Sequence, residues 1–296
     1  AALGEPRAMA NLGAMYARGE GVRKNDDDAM RWYRQAAEAG NLRAMTTIGA
    51  RYASGAAVVR DDAEAVRWYR KAADGGDADA MFLLGSMYAR GRGVEHSANE
   101  AFAWRRKAAE AGCARAMTSV GSAYATAMGV SLDHAEAVRW FRKGVDAGDI
   151  TAMANLAVAY LDGNGVEKDR AQAMHWLKLS AECGDVAAMV TLGDMNSRGA
   201  TSTRNYDEAI RWYARAVEMG HTSAMTSLGV LFSEGKGTEA KPAEAVRLFL
   251  VASKAGVPQA MLNRSMLYRE GRGVERNRAE AYFWAKNGAN LLTTDM

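Results

Sequence analysis

No stretch of this 296-residue chain is long and apolar enough to span a bilayer, and no basic-then-apolar leader opens at Ala1. A soluble protein is expected, with periplasm, exterior and cytoplasm all open as compartments. The chain begins without an initiator Met, a trace shared by a processed protein and an excised segment. Cysteine is nearly missing. Cys113 and Cys183 are the whole complement, too few to define a disulfide scaffold or a redox compartment. Neither sign of charge is in surplus, since 38 Lys and Arg stand against 35 Asp and Glu for a net charge of +3. That balance does not indicate nucleic acid, whose phosphates call for unpaired cations. His96, His134, His175 and His221 are scattered without metal-ligand spacing. No metal, cofactor or catalytic constellation is expected. Strand signals are absent, and all three prolines, Pro6, Pro242 and Pro258, open helices, where a missing N–H costs nothing.

What is present is a repeat. Ala-Met recurs eight times at an unbroken spacing of thirty-six residues, from Ala8-Met9 through Ala44-Met45, Ala80-Met81 and onward to Ala260-Met261. All seven tryptophans share one phase of the unit (Trp32, Trp68, Trp104, Trp140, Trp176, Trp212 and Trp284), with Leu248 in the eighth place. A fixed period of this length predicts units that pack on their neighbours and offer a long surface rather than a pocket.

Each unit reads as two helices. The first is predicted to start at a cap residue (Asn41, Asp77, Asp149, Asp185), run about thirteen residues and stop at a left-handed glycine (Gly19, Gly55, Gly91, Gly163, Gly199, Gly235, Gly271), with Ala127 the exception. The second starts at Asn25, Asp61, Ser97, Asp133, Asp169, Asn205 or Asn277, with Asp28, Glu64, Glu100, Glu136, Gln172, Glu208 or Glu280 three positions on. This is the spacing of a capping box, whose acid reaches back to the cap N–H. The G-x-G-V loops fit helix termination better than a phosphate cradle, because no strand precedes them. Cys113 and Cys183 fall two repeats apart; with helix pairs about 10 Å apart, they lie beyond the roughly 7 Å limit for a disulfide. Free thiols are expected.

The strings A-M-x-x-L-G-x-x-Y, G-x-G-V and A-x-x-W-Y-R-K-A-A-x-x-G resemble the Sel-1-like repeat family, thirty-six-residue relatives of tetratricopeptide repeats. The resemblance covers residues 4 to about 290, and Arg67-Trp68-Tyr69-Arg70-Lys71-Ala72-Ala73 follows the family pattern without change. It implies an all-α, right-handed α/α superhelical solenoid of eight helix-turn-helix repeats over residues 1–290, with a short tail over 291–296. It also implies an adaptor or scaffold role, and bacterial relatives are often envelope-associated or secreted. The paired cysteines of the secreted branch are missing here. Repeat six departs as well, with Asn196 at an otherwise aromatic place and Thr201-Ser202 in the loop, and a local weakness is expected there.

A binding surface follows from the helical wheel. Ala8, Met9, Leu12, Gly13 and Tyr16 and their equivalents occupy one arc, the packing face. The phases of Arg7, Ala10, Ala14 and Arg18 vary and fall on the opposite arc. By resemblance to tetratricopeptide arrays, this stripe would line a concave groove that takes an extended or helical peptide. In repeats one to four it carries Arg7, Arg18, Arg43, Arg90 and Arg115 against Asp79, with Thr46, Phe82 and Thr118 between them. In repeats five to eight it carries Asp162, Asp194, Glu234 and Glu270 against Arg198, beside Val158, Val190, Val230, Leu262 and Met266. The second helix instead pairs acids with cations three residues on, such as Glu64 with Arg67 and Glu136 with Arg139, as a solvated face does.

The expected function is therefore a protein- or peptide-binding scaffold, not an enzyme. The expected partner is a protein or peptide with an acidic segment, without nucleic acid and without membrane insertion. A self-assembling structural subunit is the alternative, since the chain ends in apolar Leu291-Leu292. An enzyme acting on cell-wall or other small substrates would need a nucleophile or metal that the sequence does not offer. Partner identity and oligomeric state are left open.

Overall fold

The computed structural model describes residues 5–198 and 204–294. Sixteen helices and no strand occur among the described residues, arranged as eight helix pairs. The pairs are α1 (Pro6–Arg18) with α2 (Asp26–Glu38), α3 (Leu42–Ser54) with α4 (Asp62–Asp74), α5 (Ala78–Arg90) with α6 (Ala98–Glu110), and α7 (Ala114–Thr126) with α8 (His134–Asp146). They continue with α9 (Ile150–Asp162) and α10 (Arg170–Glu182), α11 (Val186–Arg198) and α12 (Tyr206–Glu218), α13 (Thr222–Glu234) and α14 (Pro242–Lys254), and α15 (Pro258–Glu270) and α16 (Arg278–Thr294). Thirteen residues is the length of every helix but the last, which runs seventeen and so continues past residue 290. The helices form two compact units, one up to Ala173 and one from Met174. Chain-adjacent helices pack on one another from α1 to α9 and again from α11 to α16; first helices of adjacent repeats also touch directly, α7 with α9 and α13 with α15.

The predicted boundaries hold for identifiable reasons. Asn41, Asp77, Asp149 and Asp185 accept hydrogen bonds from the N–H of Ala44, Ala80, Thr151 and Ala187 at 2.7–3.1 Å, satisfying donors that a helix start leaves open. His221 does the same through Nδ1, which accepts from the Ala224 N–H at 3.2 Å. This histidine is a helix cap. First helices end in left-handed geometry, and Ala127 adopts it at φ 56° without the glycine that would relieve its Cβ. Gly199, Thr201 and Ser202 lie outside the described residues.

The capping box is only half made. Asn25, Asp61, Ser97, Asp133, Asp169, Asn205 and Asn277 do cap their helices. Their own N–H groups, however, are already taken by the first helix, donating to the carbonyls of Tyr16, Tyr52, Tyr88, Tyr124, Tyr160, Asn196 and Tyr268. The acids have no cap N–H left to reach. Most turn outward instead: Asp28 pairs with Arg31, Glu64 with Arg67, Glu136 with Arg139 and Glu208 with Arg211, at 2.7–3.1 Å. Glu280 accepts from the indole N–H of Trp284.

The signature residues make the core. Ala44, Ala80, Ala116 and Ala152 are fully buried, where a larger side chain would hold the helices apart. Gly121 of α7 lies against the Phe141 ring of α8, and a Cβ there would sit 2.6 Å from it. Trp68 packs on residues of α2 and α3, Trp104 on α4 and α5, and Trp140 on α6 and α7, so each tryptophan joins its repeat to the one before. Trp140 and Trp212 are buried, while Trp68 and Trp104 are half-buried under the ammonium groups of Lys71 and Lys107. Loops lock repeats together as well. Arg92 donates to the Ala53 carbonyl and to the Asp62 carboxylate of the preceding repeat, and Arg272 donates to the Ser233 carbonyl in the same way. Arg92, with help from Arg60, holds the Asp62 carboxyl well below the usual carboxylate range.

Asn196 is not the simple defect its residue type suggests. It is buried, its amide donates to the Leu192 carbonyl at 2.8 Å, and its own carbonyl keeps the loop-closing bond from Asn205. Its polar groups are satisfied inside the core.

Candidate binding surface

Two hollows that bear on the expected stripe each lie within one unit. In the first unit, α1, α2 and α3 enclose about 620 Å³ lined by Arg7, Arg18, Arg43 and Arg51, with Asn11, Asn41 and Thr47 as neutral polar groups and Tyr33 as an aromatic wall. Among the described residues no carboxylate lines it. Arg7, Arg18 and Arg43 are exposed members of the predicted stripe and do come together here, although Arg18 is shared with Glu20 at 3.1 Å.

Arg51 was not expected. Its phase holds Met15, Met87, Ala123, Ala159, Met195, Leu231 and Leu267 in the other repeats, which assigns it to packing. The sequence signal was available all the same, as one cation in an otherwise apolar column. Its side chain is only 14% exposed, its Nη1 meets the Asp26 carboxylate at 3.3 Å, and its guanidinium lies 5.3 Å from the Tyr33 ring.

The remaining basic residues are less available than their charges imply. Arg115 pairs with Asp79, thirty-six positions earlier, at 3.2 Å and lies over the Phe82 ring, so the pair is neutral and the half-buried ring is covered. Arg90 is exposed and stands near Arg105, whose half-buried guanidinium replaces the aromatic ring found at Tyr33, Tyr69 and Phe141. Burial and the Arg90 charge both pull the Arg105 pKa down. Thr46 is half-buried and spends its hydroxyl proton on the Leu42 carbonyl at 3.1 Å. Thr118 must be removed from the surface. It is buried, and its hydroxyl bonds the Asp149 carboxylate, because the stripe phase it occupies turns inward where α7 meets the start of α9. Asp162 is exposed at the end of α9.

In the second unit, α11 to α15 enclose about 480 Å³ lined by Val230, Leu231, Phe249, Met266 and Leu267 together with Glu234, Glu270, Arg198 and Arg272. The apolar character is as expected, but the acidic character is largely cancelled. Glu234 pairs with Lys236 at 2.6 Å, Glu270 with Arg272 at 3.4 Å, and Asp194 with Arg198 at 3.5 Å. Asp194 also accepts from the Tyr213 hydroxyl at 2.6 Å. Burial, then that hydrogen bond, pushes the Tyr213 phenol up to about 12, so it remains a donor at neutral pH. Tyr213 crosses from α12 to this face over Gly193, a reach that the helical wheel of α11 alone could not reveal.

Among the described residues, no group of three or more His, Cys, Asp or Glu side chains could hold a metal ion, and no helix is long and apolar enough to cross a membrane. Cys113 and Cys183 are free thiols.

The Sel1 repeat pattern matches eight consecutive segments, 6–41, 43–77, 78–113, 114–149, 150–185, 186–221, 222–257 and 258–291. The chain is similar to the crystal structure of a protective antigen present in uropathogenic Escherichia coli strains, which displays an SLR fold, with 33% identity and a TM-score of 0.89. That likeness covers 97% of this chain but 62% of the antigen structure, so the chain spans less than two thirds of that relative. It is similar also to a Sel1 repeat protein from Oxalobacter formigenes, with 30% identity, a TM-score of 0.74, and 97% of this chain and 84% of that one covered. No curated protein sequence matches the chain. Eight in-phase matches and two relatives at this identity make the chain a member of the Sel1 repeat family, an all-α solenoid of helix-pair repeats.

Proposed function

We propose that this protein is a scaffold that binds a protein or peptide through the first-helix face of its repeats, and that the partner carries an acidic segment. The observation that carries this reading is the placement of the hollows: one in each unit opens on the first helices, with side chains that vary from repeat to repeat. The second helices present self-paired charges, such as Glu64 with Arg67 and Glu136 with Arg139, which have little to offer a partner. Complementary charge at Arg7 and Arg43 would steer an acidic segment and fix its register.

Photo-crosslinking groups at Thr46 or Ala50, compared with groups at Arg31 or Arg67, test this in extracts of the source organism. Crosslinks confined to the first-helix positions, and weakened by salt as exposed charges are screened, support the reading. Crosslinks confined to the second-helix positions overturn it.

A second reading has one observation in its favour. Tyr282 and Phe283 on α16 are 69% and 54% exposed, an aromatic pair suited to self-association. Light scattering of the full chain and of a Tyr282→Ser, Phe283→Ser variant separates the two readings.

A further inference from the structure

We propose that the hollow between α1, α2 and α3 is a carboxylate-recognition site for an acidic peptide segment, with Arg51 as the residue that reads the carboxylate. The inference rests on the first-helix face being a peptide-binding surface, and it narrows that surface to one cavity and one guanidinium.

Three observations converge on Arg51. The first is chemical: seven of the eight repeats place Met, Ala or Leu at this phase, so packing does not require a cation there. The second is geometric. The guanidinium is fixed on one side by the Tyr33 ring at 5.3 Å and at one corner by Asp26 at 3.3 Å, and it lines the cavity wall while only 14% exposed. A guanidinium carries five N–H donors, and among the described residues only the Nη1 contact with Asp26 is an ion pair. A group held in this way loses little rotamer freedom on engaging a ligand. The third is electrostatic: among the described residues no carboxylate lines the cavity, and although Asp26 pairs with Arg51 and Glu20 with Arg18, Arg7 and Arg43 flank it and make the field inside favour an anion.

A planar fork of N–H groups pairs in bidentate fashion with a carboxylate or a phosphate, so charge decides between them. Asp26 already bonds Arg51 at 3.3 Å, and a dianionic phosphate meets more of its repulsion than a monoanionic carboxylate. The cavity, about 620 Å³, is also far larger than an isolated anion and has room for the residues on either side of an acidic side chain. Asn11 and Thr47 line the same wall; the Thr47 hydroxyl donates to the Arg43 carbonyl at 2.8 Å, which leaves its oxygen to accept from a peptide N–H.

The test is fluorescence anisotropy of a labelled hexaglutamate peptide on the full chain, with hexaglutamine and a phosphoserine peptide as controls. Arg51→Met installs the side chain that Met15 and Met87 already provide at this phase, so the core has a precedent for it. Arg51→Met is expected to weaken hexaglutamate about tenfold or more, as the loss of a charge-assisted pair implies, and Arg67→Gln to change it less than about twofold. Asp26→Asn removes the competing carboxylate and is expected to tighten binding by about two- to fivefold; a purely structural role for the Arg51–Asp26 pair gives no such gain, and this readout survives if Arg51→Met misfolds. Absence of saturable hexaglutamate binding, binding indifferent to Arg51, or tighter binding of the phosphoserine peptide overturns the proposal. Hexaglutamate results of that kind alongside first-helix crosslinks would sink the cavity alone; crosslinks on the second helices would sink the wider reading.

Discussion

Arg264 is the residue whose replacement should tell most about the second unit. It stands on α15 at the phase of Leu12, Ile48, Leu84, Val120, Leu156, Leu192 and Leu228, and it is buried like all of them but the half-buried Leu12, at 7% exposure. Among the described residues its Nε and Nη1 meet no hydrogen-bond acceptor, and Nη2 has only a long contact to the Tyr268 hydroxyl at 3.4 Å. What compensates is aromatic: the guanidinium lies 4.1 Å from the Trp284 ring and 5.5 Å from the Tyr268 ring. Taking a charge out of water costs several kcal/mol even after relaxation, and a desolvated cation–π contact returns about 2 kcal/mol. The balance is unfavourable. Arg264→Leu restores the side chain of the other repeats and removes the buried charge, although a shorter side chain gives back part of the gain as lost packing. The net is expected to stabilise α15 and α16 by about 1 to 2 kcal/mol, which is about a 5- to 30-fold slowing of amide exchange there. Exchange monitored by mass spectrometry on peptides from both units is the suitable assay, because two compact units need not unfold in one step. Faster exchange in α15 and α16 of the variant would refute the reasoning, and would mean that the two rings hold the cation more strongly than water does.

The tryptophan column gives a stability prediction in the first unit: Trp140→Ala removes a buried side chain packed on α6 and α7 and should cost about 3 to 5 kcal/mol in urea denaturation, whereas a loss below about 1 kcal/mol would show that the indole does not join the repeats. Asp62 gives a pH prediction. Its carboxyl is held down by Arg92 and then by Arg60, so the stabilisation is present above the unfolded value near 3.9 and is lost as pH falls below it toward the lower folded value. Asp62→Asn should therefore cost about 1 kcal/mol at pH 7, limited by solvent screening, with the difference from the parent closing only below about pH 4 in acid titrations of stability. A difference that persists unchanged to pH 2 would show that the carboxylate charge is not what braces Arg92.

Most of the fold was legible because each local signal recurs eight times and every recurrence agrees with the others. Caps, left-handed glycines and the thirteen-residue length all survive in the atoms, as does the tryptophan phase. Legibility failed where a group had two candidate partners and the sequence displayed only one. The acids at Asp28, Glu64, Glu136 and Glu208 had the right spacing to reach back to the cap N–H, yet that N–H is consumed by a carbonyl nine residues upstream, a bond visible only once the loop has closed. Asn196 shows the same limit. Read as a residue type it is a hole in an aromatic column; in place it bonds the Leu192 carbonyl within its own helix and keeps the loop bond intact.

The binding surface was harder to read, because the variable positions of a repeat are also the places where charge can drift without consequence. Arg115 and Asp79 share a phase in adjacent repeats and neutralise each other, so counting Arg115 as free basic charge overstated the stripe. Glu234 and Glu270 are cancelled in the same manner by Lys236 and Arg272 from their own loops. The more telling departures occur at phases that looked decided by the other repeats. Arg51, Arg105 and Arg264 are the cations that replace apolar or aromatic residues in this way, and each is at least half-buried. Placing a guanidinium among apolar neighbours is unfavourable unless something meets it. For Arg264 two rings do so in part, and for Arg105 the Nε meets no hydrogen-bond partner among the described residues. Arg51 alone combines a fixed guanidinium with an open cavity and two more arginines on its wall. In a repeat protein the period reports what packing demands, and a cation that violates it at an accessible wall is where selection for a ligand has the clearest physical trace.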